Sequence, residues 1–189
     1  IMKAYREDVQ VVGNIGTAYT SVALDTTEDT VTVAEISSFQ LETIEKFHPK
    51  ASAITNITED HLNRHHTMEE YIRVKERITE NQTMEDVCVL NYEDEVLRAF
   101  GEKLIGEQKV QVLFFSSLRA LQDGIYCQDG TIWLAENGER EPVVHTDELK
   151  ILGQHNYENV MTAVGMAYYA GVPMDVIRKA VCAFQGVEH

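Results

Sequence analysis

The sequence predicts an α/β layered fold, a mostly parallel sheet flanked by helices, with a small antiparallel edge around residues 124–150. Three observations lead there. Short β-branched or apolar runs alternate with helix-period segments, an order that demands crossovers and a sheet covered on both faces. The pairs Asp129-Gly130 and Asn137-Gly138 punctuate short strand runs, as two-residue hairpin turns do. The 189 residues, 44% hydrophobic and 25% charged, match one domain with a full core.

Ile1 to Glu7 reads as the last turns of a helix that feeds a strand at Val9 to Val12. A second β-branched run marks a strand at Val31 to Ile36, and the serines that follow it open a helix at Ser38 to Phe47. Ala51 to Thr55 is an apolar strand. Met68 to Asn81 has helical period, with Tyr71, Ile72, Lys75 and Ile78 on one stripe. Val87 to Leu90 is a core strand, a helix begins at about Asp94, and Val110 to Phe115 is a further strand. Tyr126 to Val144 supplies the hairpin edge. Helices at Asn156 to Ala170 and Met174 to Phe184 close the chain, joined at Gly171-Val172-Pro173 by a C-cap glycine and an early-helix proline.

Lys and Arg number 16 against 31 Asp and Glu, a formal charge of -15, which argues against a nonspecific grip on nucleic acid or an anionic membrane. A protein this acidic that handles a phosphorylated small molecule must concentrate its cations locally or recruit Mg²⁺ to its carboxylates. Cys88, Cys127 and Cys182 are odd in number and widely spaced, and two of them lie in apolar runs, which points to a reducing cytoplasm. No apolar run approaches the ~20 residues that cross a bilayer, and the N-terminus lacks a signal-peptide layout. The chain starts at Ile1 and contains no G-x-x-x-x-G-K-[ST]. In a phosphate-loop ATPase that loop precedes a helix like the one expected at Ile1 to Glu7, so the chain is expected to begin just after it.

Five clusters carry candidate chemistry. Asn56-Ile57-Thr58-Glu59-Asp60-His61-Leu62-Asn63-Arg64-His65 follows the apolar strand Ala51 to Thr55, and the C-terminal end of a parallel strand is where open α/β sheets bind ligands. The plain alternative makes Asp60 a helix cap and the histidines surface residues. Lys75 falls on the inward stripe of its helix, where a desolvated amine can add CO₂ and become a carboxylate-like ligand, unless it snorkels to the rim. Glu35 ends a strand beside a helix start, a place suited to holding Mg²⁺ over phosphates, while Ser37 or Ser38 caps the helix or binds ligand. Gly13-Asn14-Ile15-Gly16 is a backbone-approach turn in which Asn14 offers amide donors. Asn156 and Asn159 share one face of a first helical turn, where they can hydrogen-bond an adenine, or Asn156 simply caps. His48, His66 and His145 have no nameable partner and read as exposed.

In this order, G-N-I-G, E-I-S-S-F-Q-L, N-I-T-E-D-H-L-N-R-H, the Tyr71 to Lys75 helix, G-Q-H-N-Y-E-N and the terminal F-Q-G-V-E-H resemble the Mur ligase family. The S-S-F-Q-L and G-N-I-G forms are similar to the branch that adds D-glutamate. The resemblance implies that residues 1–189 are a central ATPase domain with a P-loop NTPase-like fold. It implies an enzyme that uses ATP and Mg²⁺ to phosphorylate the carboxylate of UDP-N-acetylmuramoyl-L-alanine, after which the amine of D-glutamate attacks the acyl phosphate. By resemblance Glu35 holds the Mg²⁺ on the ATP phosphates, while His61 and carbamylated Lys75 hold or orient a second. Asn14 and Ser37 then contact the UDP-sugar, and Asn159 faces the adenine with Asn156 beside it.

The family's phosphate loop is expected just before Ile1 and an arginine just after His189, with a UDP-binding domain on one side and a D-glutamate-binding domain on the other. The chain alone is therefore expected not to ligate. Two other readings stay open: a non-catalytic scaffold of the same fold, and a ligase that adds glutamates to folate. Retention of Glu35, His61 and Lys75 speaks against the first, and S-S-F-Q-L against the second.

Overall fold

The computed structural model describes residues 1–186; Val187, Glu188 and His189, and with them the end of the F-Q-G-V-E-H motif, lie outside the described residues. After a single helical turn, α1 (Met2–Tyr5), strands β1 (Val9–Gly13) and β2 (Val31–Glu35) pair in parallel with Gly13 opposite Glu35. These two form a sheet of their own. The main sheet has six strands in chain order, β3 (Ala51–Ile54), β4 (Val87–Asn91), β5 (Gln111–Ser116), β6 (Gly124–Gln128), β7 (Thr131–Glu136) and β8 (Glu139–His145). It is parallel from β3 to β6 and antiparallel from β6 to β8. The expected antiparallel edge is thus present, while the parallel part is divided between two sheets.

The hairpin turns follow from local chemistry. Asp129 and Gly130 have φ of 50° and 72°, and Asn137 and Gly138 have φ of 55° and 80°. Two successive positive φ values match the right-handed twist of the flanking strands, and Asp, Asn and Gly tolerate them.

Alternation along the strands sorts the core into two layers. Val89, Leu113 and Ile125 face α6 (Gln154–Tyr169), and Gly165 lets that helix close on them: a Cβ there would lie 2.7 Å from Leu113 Cδ2. On the other face Cys88, Leu90 and Phe114 meet α5 (Glu95–Gly106), where a Cβ on Gly101 would lie 2.5 Å from the Phe114 ring. Strand β4 is buried at every position, as a central parallel strand covered on both faces must be. Asp94 caps α5 by accepting from the Val96 and Leu97 amides. Gly171, at φ +82°, ends the α6 segment, and Pro173 is the N-cap of α7 (Met174–Ala183).

Three expectations need correction. The helix predicted over Ser38 to Phe47 is the single turn α2 (Ser38–Leu41). Arg77 donates to the carbonyls of Glu42 and Ile44, and Asn81 to those of Glu45 and Phe47, so those carbonyls are satisfied from outside instead of by helix amides. The helix predicted over Met68 to Asn81 is α4 (Met68–Glu76) followed by a 3₁₀ turn, Arg77–Thr79, which sets Arg77 and Asn81 for those contacts. The single turn α3 (Leu62–His65) lies inside the Asn56 to His65 segment with His61, not Asp60, as its N-cap.

Candidate active site

Gly13 and Glu35 end paired strands, and their backbones touch. A Cβ on Gly13, whose φ is +147°, would lie 2.3 Å from the Glu35 carbonyl oxygen, so only glycine fits. The Asn14 amide then donates to that same carbonyl at 2.9 Å. Asn14 and Glu35 are consequently exposed side by side at one end of the small sheet. Ser37 is the N-cap of α2: its hydroxyl accepts from the Gln40 amide, and the Gln40 side chain accepts from the Ser37 amide at 2.9 Å. Ser38 does not cap; it is buried, and its hydroxyl meets His65 Nε2 at 2.9 Å.

The segment after β3 is fastened at its root. Asn91 donates to the Thr55 carbonyl at 3.1 Å, and the Ile57 amide donates to Asp94 Oδ2 at 2.7 Å. His61 and His66 flank α3 with φ of 54° and 68°. Asp60 caps no helix. It accepts from the His61 amide at 2.7 Å and lies 3.3 Å from His61 Nε2, leaving the His61 side chain 48% exposed. His65 is buried, and Phe39 of α2 spans both histidines, with its ring 4.9 Å from His61 and 5.6 Å from His65. Arg64 pairs with Glu42 at 2.7 Å, and that hydrogen bond holds the Glu42 carboxyl below its ordinary pKa.

The buried residues of α4 are Tyr71 and Val74, and Lys75 lies beside them. Partly buried, it donates to the Tyr71 hydroxyl at 3.2 Å and to the Asn56 carbonyl at 3.3 Å, so α4 delivers its amine to the start of the histidine segment. Three segments that sequence reading singled out therefore meet: α2 through Phe39, residues 56–65, and α4 through Tyr71 and Lys75. Asn156 and Asn159 stand on α6, and no hydrogen bond or ring contact among the described residues ties them to that group. The N-cap of α6 is Gly153, so Asn156 does not cap; its amide donates to the Leu152 carbonyl at 2.9 Å, and Asn159 is exposed.

Among the described residues no three His, Cys, Asp or Glu side chains converge as a metal-binding set. Glu35 nonetheless suits Mg²⁺, being an exposed carboxylate at a strand end with no ion pair among the described residues. Imidazole is a poorer match for so hard a cation, and an ammonium offers no lone pair at all. Lys75 fits the ion only after its amine has become a carbamate.

Most of the chain, residues 6–167, matches the sequence pattern of the Mur ligase middle domain. The chain belongs to the Mur ligase family. It is 54% identical over 189 residues to the UDP-N-acetylmuramoylalanine--D-glutamate ligase of Lachnoclostridium phytofermentans, covering all of this chain and 41% of that protein. The protein of the same name from Lachnospira eligens is 50% identical over the same span, again 41% of its length. The fold is shared with MurF from Acinetobacter baumannii at a TM-score of 0.66 and 15% identity, over 95% of this chain and 46% of that one. This Mur ligase middle domain therefore spans about two fifths of the curated relatives it matches.

The residues that join the Mur ligase motifs, His65, Phe39 and Tyr71, carry no catalytic signature of their own in the sequence. One signal was available for His65: it stands three residues after Leu62, on the same face of a helical turn. Its partners Ser38 and Glu42 lie more than twenty residues away, beyond any local pattern.

Proposed function

We propose that this chain is the ATP-handling middle domain of a UDP-N-acetylmuramoyl-L-alanine:D-glutamate ligase. The observation that carries the reading is 54% identity along all 189 residues to a protein of that name. The remaining three fifths of such a protein would hold the phosphate loop before Ile1 and the UDP- and D-glutamate-binding domains. The same reading puts the protein in the cytoplasm, where Cys88, Cys127 and Cys182 stay free thiols.

In this account ATP phosphorylates the acceptor carboxylate, the amine of D-glutamate attacks the acyl phosphate, and phosphate leaves. Transfer between two anions needs positioning and charge neutralisation more than covalent help, and Mg²⁺ supplies the neutralisation when bound. Glu35 would hold the ion over the ATP phosphates. His61, half-exposed and steadied by Asp60, would orient groups around a second ion, with Lys75 as its carbamate. The ammonium gives up one proton to become the free amine, which adds CO₂ and releases a second, so a cation becomes an anionic oxygen donor. Asn14 would present its amide to the UDP-sugar, and Ser37, whose hydroxyl is shared with the helix cap, would touch it from α2. Asn159, with Asn156 behind it, would face the adenine.

Substitution at Lys75 in the complete protein tests this reading. Lys75→Ala and Lys75→Arg should each lower phosphate release by at least ~10²-fold, since arginine cannot form the carbamate. Near-normal turnover in either variant would remove the carbamate from the account.

A further inference from the structure

His65 is a polar ring sealed inside the group just described, with its side chain only 1% exposed. It belongs to one of the three segments and touches the other two. Its Nε2 lies 2.9 Å from the Ser38 hydroxyl of α2, its Nδ1 lies 3.5 Å from the Glu42 carboxylate just beyond α2, and its ring lies 5.3 Å from that of Tyr71 on α4. A carboxylate only accepts, so its place beside Nδ1 favours the neutral ring with the hydrogen on Nδ1, in which Nε2 accepts from Ser38. Phe39 stacks on the imidazole from α2 at an interplanar angle of 18°. Tyr71, only 5% exposed, passes the placement on through its hydroxyl to Lys75 Nζ.

We infer that His65 is a positioning residue: its buried imidazole, hydrogen-bonded to Ser38, facing Glu42 and packed on Phe39 and Tyr71, sets where the Lys75 amine stands relative to α2 and His61. The catalytic consequence rests on the ligase reading, whereas the placement of Lys75 does not.

Two readouts separate these claims in the full-length protein. The first is labelling of Lys75 by an amine-acetylating reagent, followed by mass spectrometry, with Lys179, 80% exposed on α7, as the internal control. In His65→Leu the Lys75 rate should rise about tenfold with Lys179 unchanged, because a held contact becomes locally open. The second is kcat, which should fall roughly a hundredfold, as misplacing a reacting group by about 1 Å does. His65→Gln, which can still reach Ser38, should recover most of both. Ser38→Ala keeps the ring and removes one anchor, so it gives the same test if His65→Leu does not fold, with smaller changes in the same direction.

Unchanged Lys75 labelling in well-folded variants overturns the inference, whatever kcat does. Raised labelling with kcat within about twofold of the unsubstituted protein overturns its catalytic part. Raised labelling in a protein that never ligates leaves the placement of Lys75 standing and refutes the ligase reading instead.

Discussion

Asp86 shows how much one side chain can concentrate. It is 3% exposed, and it accepts from His48 Nε2 at 2.6 Å, from the Thr83 amide at 2.8 Å and hydroxyl at 3.2 Å, with Lys50 Nζ 3.3 Å away. Burial alone would raise its pKa, but those donors outweigh burial and hold it at about 2. The unfolded value is near 3.9, so the folded state favours the charged form. The stabilisation is therefore full above about pH 4 and lost as pH falls through about 2. Asp86→Asn should cost about 2 kcal/mol at pH 6 by urea unfolding, and the gap should close near pH 2. A gap that stays constant across that range contradicts the charge argument. This carboxylate also explains a miss. His48 looked partnerless because its partner lies 38 residues along the chain, whereas the contact of Lys75 with Tyr71 is local, four residues apart on one helix.

Elements were legible where their signals are local. The hairpins follow from Asp-Gly and Asn-Gly, and α5 from Asp94 before an apolar-periodic run. The stretch from Ser38 to Phe47 misled because its helix competes with Arg77 and Asn81, side chains that arrive from another element. Two glycines test the packing of the helices. Gly165→Ala would push a methyl into Leu113 and should destabilise by about 1–3 kcal/mol in chemical denaturation. Gly106, the last residue of α5, has open space around its Cβ direction, and Gly106→Ala should stabilise by about 0.4–1 kcal/mol. Equal effects from the two would show that close approach of α6 to the sheet is not what Gly165 provides.

For the whole molecule, the order of the motifs along the chain was enough to imply the fold and the family, because a parallel α/β sheet brings successive strand ends to one side. How the motifs touch was not legible. The division into two sheets and the buried His65 both depend on contacts between distant residues. Residues 1–189 contain no phosphate loop, so the chain by itself should show no Mg-ATP saturation in calorimetry below millimolar concentration; a clear isotherm in that range would mean that α6 and Glu35 suffice to hold the nucleotide. The most direct test is phosphate release from ATP by the complete protein, supplied with UDP-N-acetylmuramoyl-L-alanine and D-glutamate together and then with each omitted. Release that requires both substrates, and that fails with L-glutamate in place of D-glutamate, is the predicted result; release indifferent to either substrate, or none with both present, contradicts the account.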